Sequence, residues 1–305
     1  MKRGKYLITG CAGFIGSHLV KQIYKKYNLI LVDDLSEGSL KNIPIRLRKR
    51  IIKKKIQDIS DNNLKNLKGI IHLAAQSSVH LSMINFFNSS KNNILSSLKI
   101  FQISKKYSVP VVYASSSALY GNLPKGDDTK EKFSISSPYA QDKLTLEKYA
   151  KMMFDVFNIS SIGLRFFNVY GPRQNANSPY AAVIPIFIDR MKKNLPITIN
   201  GGYQTRDFIF VDDVVKIIKL SMTNVQRKKI CHVFNVGTGR SISINYLFKI
   251  IKARIPNISK IIKRPLEKFD PKKSSGNFKK LKKNLLSKNF IFTKLELGID
   301  KILKS

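Results

Sequence analysis

The sequence YLITGCAGFIG at residues 6–16 determines the fold prediction. It begins with a short apolar run typical of a buried β-strand and continues with Gly10, Gly13 and Gly16. The first glycine allows a tight turn, the second lets the backbone approach a pyrophosphate, and the third lets the helix pack closely on the strand. Free N–H groups at the start of the following helix favour the phosphates. The stretch predicts a dinucleotide-binding unit, spaced GxxGxxG rather than GxGxxG.

An acidic residue ends the next apolar run. Residues 29–32 form that run, and Asp33 follows about twenty residues beyond the glycine loop. A carboxylate at this position accepts hydrogen bonds from the adenosine ribose hydroxyls and repels a 2′-phosphate. The sequence therefore favours NAD over NADP. Asp58, after alternating apolar residues at 51–56, is a candidate contact for the adenine amino group.

Short apolar runs alternate with amphipathic segments through the first half of the chain. Strands are expected at residues 6–9, 29–33, 69–73, 109–115 and 161–167, and helices at 16–27, 93–107 and 138–157. This alternation predicts an α/β fold with a doubly wound, Rossmann-like parallel sheet. Proline and glycine become frequent after residue 170. We expect an NAD-binding domain over 1–170 and a smaller substrate-binding lobe over 171–305, with about 207–240 returning to the first domain.

Composition narrows the class of protein. The 305 residues suffice for a large domain and a small lobe, and no apolar run is long enough to span a bilayer. The two cysteines, Cys11 and Cys231, suggest no disulfide framework. These features, and the lack of a signal-peptide pattern, predict a cytoplasmic protein. No metal site is expected.

The net charge of +36 is the unusual feature of the composition. It could indicate a nucleic-acid partner, but such a site is usually marked by arginine and interleaved aromatic residues on one face. Here lysine is spread along the whole chain. We interpret the charge as a general compositional bias that also attracts anionic ligands.

Tyr139 and Lys143 stand four residues apart, just after Pro138. That spacing places both side chains on one face of a helix. A lysine ammonium and an oxidised nicotinamide nearby would lower the pKa of the phenol and make it a usable base. The stretch YASSSALYG at residues 113–121 ends an apolar strand, so its serines are expected at the carboxyl edge of the sheet, where ligands bind.

Taken together, these motifs resemble the NAD-dependent epimerase/dehydratase family of extended short-chain dehydrogenases/reductases. The resemblance covers residues 6 to about 240, and its motifs lie at residues 9–16, 33, 58–59, 72–75, 93, 115–121, 139, 143, 165–174, 206–208 and 235–239. It implies NAD-dependent 4-epimerisation of a UDP-hexose, either UDP-glucose/galactose or the N-acetyl pair, through a 4-keto intermediate. A UDP-glucuronate 4-epimerase and another dehydratase or decarboxylase of the family are alternatives. A non-catalytic nucleic-acid-binding protein on the same fold is a remote one.

The resemblance also implies roles for individual residues. The implied catalytic residues are Ser117, Tyr139 and Lys143. The cofactor is held by Gly10, Gly13, Phe14, Ile15, Gly16, Asp33, Asp58, Ile59, Leu73, Ala74, Ala75, Asn93, Tyr139 and Lys143. The substrate is contacted by Ser117, Asn168, Ala182, Val183, Arg206, Arg264 and Ser274. A homodimer is implied, paired through the helices near 93–107 and 138–157.

Two departures from the family pattern affect these expectations. Members usually carry a phosphate-binding arginine in an Arg-x-Gly-Asp stretch, but Glu267 occupies the arginine's place here, which leaves Arg264 or Lys268 to substitute. The helix after Asn93 has Ser96-Ser97 where a glycine-threonine pair is usual.

Two further positions bear on the reaction and on the sugar. Dehydratases carry an acid pair after the catalytic hydroxyl, whereas Ala118 and Leu119 follow Ser117 here, which argues against dehydration. In similar epimerases the position of Ser274 borders the sugar C2 substituent, and a small residue there admits an acetamido group.

Overall fold

The computed structural model describes residues 4–60, 64–176, 181–256, 258–267 and 270–305. The strands are β1 Lys5–Thr9, β2 Asn28–Val32, β3 Ile51–Ile52, β4 Leu67–His72, β5 Val111–Ser116, β6 Gly126–Asp127, β7 Ser161–Phe166, β8 Asn168–Tyr170, β9 Ile197–Asn200, β10 Thr205–Phe210, β11 Cys231–Val236, β12 Ser241–Ser243, β13 Ile261–Arg264 and β14 Gly276–Asn277. The helices are α1 Phe14–Ile23, α2 Ile45–Arg48, α3 Val79–Ile84, α4 Phe86–Tyr107, α5 Pro138–Phe157, α6 Val183–Lys192, α7 Val211–Arg227, α8 Ile244–Lys252, α9 Lys279–Asn284 and α10 Leu295–Leu303.

The main sheet has seven strands in the order β11-β7-β5-β4-β1-β2-β3. Every pairing within it is parallel. Side chains alternate between its two faces, so Leu7 packs into one apolar cluster and Ile8 into the other. Helices α1 and α7 cover one face, and α4 and α5 cover the other. The predicted doubly wound α/β fold is confirmed.

Strands outside the main sheet form a smaller group with three helices, which we call the smaller lobe. Strands β12, β10 and β8 form a three-stranded sheet, and β13 pairs with β9. Helices α6, α8 and α10 enclose a separate apolar cluster beside these strands. The chain also contributes α7 and β11 to the larger unit, because β11 pairs with β7 at the edge of the main sheet.

Helix α4 starts seven residues before the position expected from the sequence, at Phe86. The Asn85 side chain accepts a hydrogen bond from the Asn88 N–H and caps the helix there. Helix α5 runs over the expected residues, from Pro138 to Phe157. Among the described helices, none combines the length and apolarity needed to cross a membrane.

Candidate active site

The glycine loop after β1 packs against the loop after β4. Gly10 has a φ of +67°, and a Cβ at this residue would lie 2.7 Å from the Ala74 backbone nitrogen. A Cβ on Gly16 would lie 2.0 Å from the Gly10 carbonyl oxygen, so helix α1 starts in direct contact with the turn. Only glycine fits at these two positions. The loop therefore offers open backbone N–H groups at the start of α1, as a pyrophosphate requires.

A cleft of about 870 Å³ extends from this loop to the smaller lobe. It lies at the carboxyl ends of β1, β4 and β5. Its lining includes these residues expected from the sequence: Gly10, Gly13, Phe14, Ile15, Gly16, Asp33, Leu73, Ala74, Ala75, Ser117, Tyr139, Lys143, Asn168, Ala182, Arg206 and Ser274. The structure thus brings together most of the proposed cofactor and substrate residues.

Asp33 is fixed at the cofactor end of the cleft. Its carboxylate accepts hydrogen bonds from the backbone N–H groups of Ala12 at 2.7 Å and Leu35 at 2.9 Å. Burial raises the pKa of Asp33, while these hydrogen bonds act in the opposite direction. The carboxylate is therefore coupled directly to the glycine loop, where it suits the ribose hydroxyls of NAD.

Several expected residues lie elsewhere. Asp58 is exposed and Ile59 is buried in the core beneath the sheet, whereas Ile56 and Gln57 of the same turn line the cleft. Ile56, Gln57 and Asp58 form a short 3₁₀ helix, in which successive side chains point in different directions, so Asp58 does not face the cleft with Gln57. Gln57 was not identified from the sequence.

Val183 begins helix α6 and packs toward the core of the smaller lobe, outside the lining of the cleft. The residue before it, Ala182, lines the cleft. Asn93 also lies behind the lining, where it holds the backbone of Gln76.

Tyr139 and Lys143 face the cleft from the first turns of α5. Ser137 caps this helix by accepting a hydrogen bond from the Ala140 N–H, and Pro138 occupies its first position. The Lys143 ammonium donates to the Ala114 carbonyl oxygen at 2.9 Å and lies 5.6 Å from the centre of the Tyr139 ring. The strand end at β5 therefore fixes the lysine beside the tyrosine.

Burial dominates the ionisation of both groups. It raises the pKa of the Tyr139 hydroxyl, and a hydrogen bond with the Ser116 side chain acts to lower it. Burial also lowers the pKa of Lys143 to about 8, with the carboxylates of Asp142 and Glu147 acting in the opposite direction. The sequence predicted that the lysine ammonium and an oxidised nicotinamide together lower the pKa of Tyr139; in this structure burial, Ser116 and Asp142 are the groups that act on that pKa.

The Tyr139 hydroxyl is hydrogen-bonded to Ser116, the residue before the catalytic candidate Ser117. Ser116 is the last residue of β5, and Ser117 begins the 3₁₀ helix Ser117–Tyr120. Both serines line the cleft. Because Ser115, Ser116 and Ser117 are consecutive, the sequence alone could not decide which one lies opposite the tyrosine.

The far end of the cleft contains the substrate candidates. Arg206 donates to the carbonyl oxygens of Thr205 and Pro271 and forms an ion pair with Asp270. The Ser274 N–H donates to the Thr205 carbonyl at 3.0 Å, which holds this segment against β10. Lys273, also unidentified from the sequence, lines the cleft beside them.

Arg264 does not reach the cleft. It is exposed on β13, where pairing with β9 places it opposite Asn200. The alternative, Lys268, lies outside the described residues. Glu267, at the position of the missing arginine, accepts a hydrogen bond from the Asn200 side chain at 3.3 Å.

A parallel sheet with a glycine-loop cradle and a Tyr-Lys pair on the adjoining helix define an enzyme of the short-chain dehydrogenase/reductase class. The chain belongs to the NAD dependent epimerase/dehydratase family, whose model matches residues 6–237. Its cofactor is accordingly NAD, which the glycine cradle and Asp33 fit.

Individual proteins of this family resemble this chain over most of their length. A protein of Methanocaldococcus jannaschii with the provisional name UDP-glucose 4-epimerase is 38% identical over 259 residues, 82% of this chain and 82% of that protein. The structure of UDP-N-acetylglucosamine 4-epimerase from Methanobrevibacter ruminantium, in complex with UDP-N-acetylmuramic acid, superposes with a TM-score of 0.90 at 34% identity, covering 100% and 98% of the two chains. The structure of UDP-glucose 4-epimerase from Thermotoga maritima with UDP-glucose superposes with a TM-score of 0.88 at 32% identity, covering 98% of this chain and 97% of that chain.

Proposed function

We propose that the protein is an NAD-dependent 4-epimerase of UDP-hexoses that works through a 4-keto sugar. One observation carries this proposal: Tyr139, bonded to Ser116 and adjoined by Lys143, faces the same cleft as the glycine loop. The similarity to epimerases of UDP-glucose and UDP-N-acetylglucosamine supports the choice of reaction and substrate. The smaller lobe, from residue 171, holds the nucleotide and the sugar in this proposal.

The reaction follows from the positions of the side chains. Tyr139, as the phenolate, takes the proton of the sugar 4-hydroxyl and later returns it to the keto oxygen. Bound NAD would supply the acceptor for the hydride of sugar C4, and the glycine loop and Asp33 would hold it in the cleft. Ser116 and Ser117 hold the hydroxyl, and Lys143 holds the ribose next to the nicotinamide. Arg206 and Asn168 anchor the diphosphate while the keto sugar turns.

The acidic groups of the cleft favour epimerisation over dehydration. Elimination of water needs an acid beside the sugar. In the described part of the chain, the carboxylates that line the cleft are Asp33, Asp34 and Glu37 at the glycine loop and Asp270 at Arg206. Ser117, Ala118 and Leu119 offer no carboxyl group near Tyr139.

The proposed sugar includes the N-acetylated hexoses. Ser274 is small and lines the end of the cleft that Arg206 also lines. A small residue permits a larger C2 substituent without rejecting a hydroxyl. Both the UDP-glucose/galactose pair and the N-acetyl pair are therefore expected substrates.

We further propose a cytoplasmic homodimer. The helices α4 and α5 pack side by side and leave apolar side chains exposed, among them Phe86, Phe87 and Val156 at 61%, 69% and 62%. Apolar groups in this number favour burial against a second copy. Light scattering at micromolar concentration should give twice the mass of the 34.7 kDa chain, and a monomer would contradict the dimer.

Incubation with single sugar nucleotides tests the function directly. UDP-glucose, UDP-N-acetylglucosamine, UDP-glucuronate and dTDP-glucose are incubated separately, and the sugars are resolved by NMR. We expect interconversion at C4 for the first two without added cofactor. Formation of a 4-keto-6-deoxy sugar from dTDP-glucose, with no C4 inversion, would replace epimerisation by dehydration.

A further inference from the structure

A buried carboxylate between the two catalytic candidates has no part in the reaction described above. Asp142 immediately precedes Lys143 on α5 and is 5% exposed. Its Oδ2 accepts a hydrogen bond from the Asn93 side-chain nitrogen at 3.0 Å. A buried carboxylate destabilises a protein unless its oxygens are well bonded, so a neutral residue would be expected at a position of purely structural importance.

Asn93 transmits this contact to the wall of the cofactor cleft. Its side-chain oxygen accepts from the Gln76 N–H at 2.8 Å, and its side-chain nitrogen donates to the Gln76 carbonyl at 3.2 Å. One amide thus holds both backbone polar groups of Gln76. Residues 73–78, around Gln76, line the cleft, and within them Ala74 touches the Gly10 turn.

The carboxylate of Asp142 fixes which way the side-chain amide of Asn93 is turned. An ionised carboxylate only accepts hydrogen bonds, so it must face the NH₂ group of Asn93. The Asn93 oxygen is then turned toward the Gln76 N–H, which only donates. Because its nitrogen faces Asp142 and its oxygen faces the Gln76 N–H, the Asn93 amide has a single orientation. The loop at residues 73–78 is therefore held in one position.

We propose that Asp142 is a positioning residue that acts through Asn93 on the loop at residues 73–78 and so sets the affinity for the dinucleotide. This inference rests on the proposed function, because it takes NAD as the ligand of the cleft. It assigns Asp142 no contact with the cofactor or the sugar.

The test measures NADH affinity, which needs no sugar substrate. The chain has no tryptophan, so the emission of NADH itself reports binding to the purified protein after exchange of bound cofactor. Asp142→Ala removes the acceptor, and we expect the Kd for NADH to rise about tenfold, the effect of one lost hydrogen bond to a charged group. Asp142→Asn retains an oxygen that can accept from Asn93 but does not require that orientation, because an amide also donates, so its Kd is expected to lie between those of the wild type and Asp142→Ala.

Asp213→Ala provides the matched control. Asp213 is also fully buried and accepts hydrogen bonds from Lys216 and from the Thr293 N–H, but it lies on α7 away from the cleft. This variant should lose thermal stability and keep the wild-type Kd for NADH. Asn93→Ala should weaken NADH binding as much as Asp142→Ala, and the double variant should lose no more, because the two residues act in one chain.

Three outcomes would overturn the proposal. These are a wild-type Kd in Asp142→Ala, an equal loss in Asp142→Asn, or additive losses in the double variant. Should Asp142→Ala be insoluble, the same three comparisons are made with Asp142→Leu, which also removes the hydrogen-bond acceptor and has a side chain of similar shape. Failure of the wild-type protein to bind NADH would instead refute the cofactor assignment, and binding without turnover of any UDP-hexose would refute only the reaction.

Discussion

Exchanging single serines for alanine at the end of β5 separates two candidate catalytic hydroxyls. Ser116 bonds the Tyr139 hydroxyl and also accepts a hydrogen bond from the Ala118 N–H at 3.1 Å. Ser117 lines the cleft one residue later. Ser116→Ala and Ser117→Ala remove the same atom from adjacent positions, so each variant is the control for the other.

The size of the effect follows from the contact that is lost. A hydrogen bond to a group that is charged during the reaction contributes about 1.5–3 kcal/mol. At about 1.4 kcal/mol for each factor of ten in rate, Ser116→Ala should lower kcat/KM by about ten- to 150-fold. Loss of the bond to Ala118 should also lower the free energy of unfolding, by about 0.5–2 kcal/mol for a cap of this kind. Ser117→Ala should lose much less activity.

The pH dependence of kcat provides an independent measurement. The hydrogen bond from Ser116 lowers the pKa of Tyr139. Its removal raises that pKa, and the tyrosine must be deprotonated to accept the sugar proton. The rise of kcat with pH should therefore move to higher pH in Ser116→Ala and stay in place in Ser117→Ala. A larger loss and a larger shift in Ser117→Ala would show that Ser117 is the catalytic hydroxyl.

Three further predictions concern other parts of the cleft. Tyr139→Phe should lower kcat by about a hundredfold to ten-thousandfold, the usual contribution of general acid–base catalysis, while NADH titration shows unchanged affinity; near-normal turnover would remove Tyr139 from the mechanism. Wild-type protein should co-purify with NAD, and Gly10→Ala should be recovered without it. The reason is that the new Cβ would lie 2.7 Å from the Ala74 nitrogen, at a residue with a φ of +67°. Equal absorbance of the NAD released from both proteins would contradict this prediction. Ser274→Tyr should reduce kcat/KM for UDP-N-acetylglucosamine far more than for UDP-glucose, and unchanged activity on the N-acetyl sugar would mean that Ser274 does not border the C2 substituent.

Local spacing made part of the site predictable. The glycine loop and the Tyr139–Lys143 pair depend on residues within one turn or one helix, so their geometry follows from short-range rules. Arg264 could not be located in this way, because its position depends on the pairing of β13 with β9. Ser116 could not be identified as the partner of Tyr139 without knowing at which residue β5 ends.

The contacts that support the site were beyond sequence reasoning for a different reason. Asn93 was expected to support the cofactor, but its partners are 17 residues away at Gln76 and 49 residues away at Asp142. Such pairs become visible only when α4 packs against α5 and the loop after β4. Buried polar groups must be paired, so the structure shows partners where the sequence shows only isolated polar residues.

The charge balance around Lys143 gives Asp142 a second consequence. Lys143 is buried, and nearby His72 is uncharged at neutral pH because burial lowers its pKa to about 3. Glu147, one turn further along α5, is bound by two nitrogens of Arg165 at 2.8 and 2.6 Å, so its charge is largely neutralised. Asp142 instead accepts a hydrogen bond from the neutral amide of Asn93, and it acts on the pKa of Lys143 more strongly than Glu147 does. It is therefore the main carboxylate that favours the protonated lysine beside Tyr139, and the residue that orients the cofactor loop also helps to keep that ammonium charged.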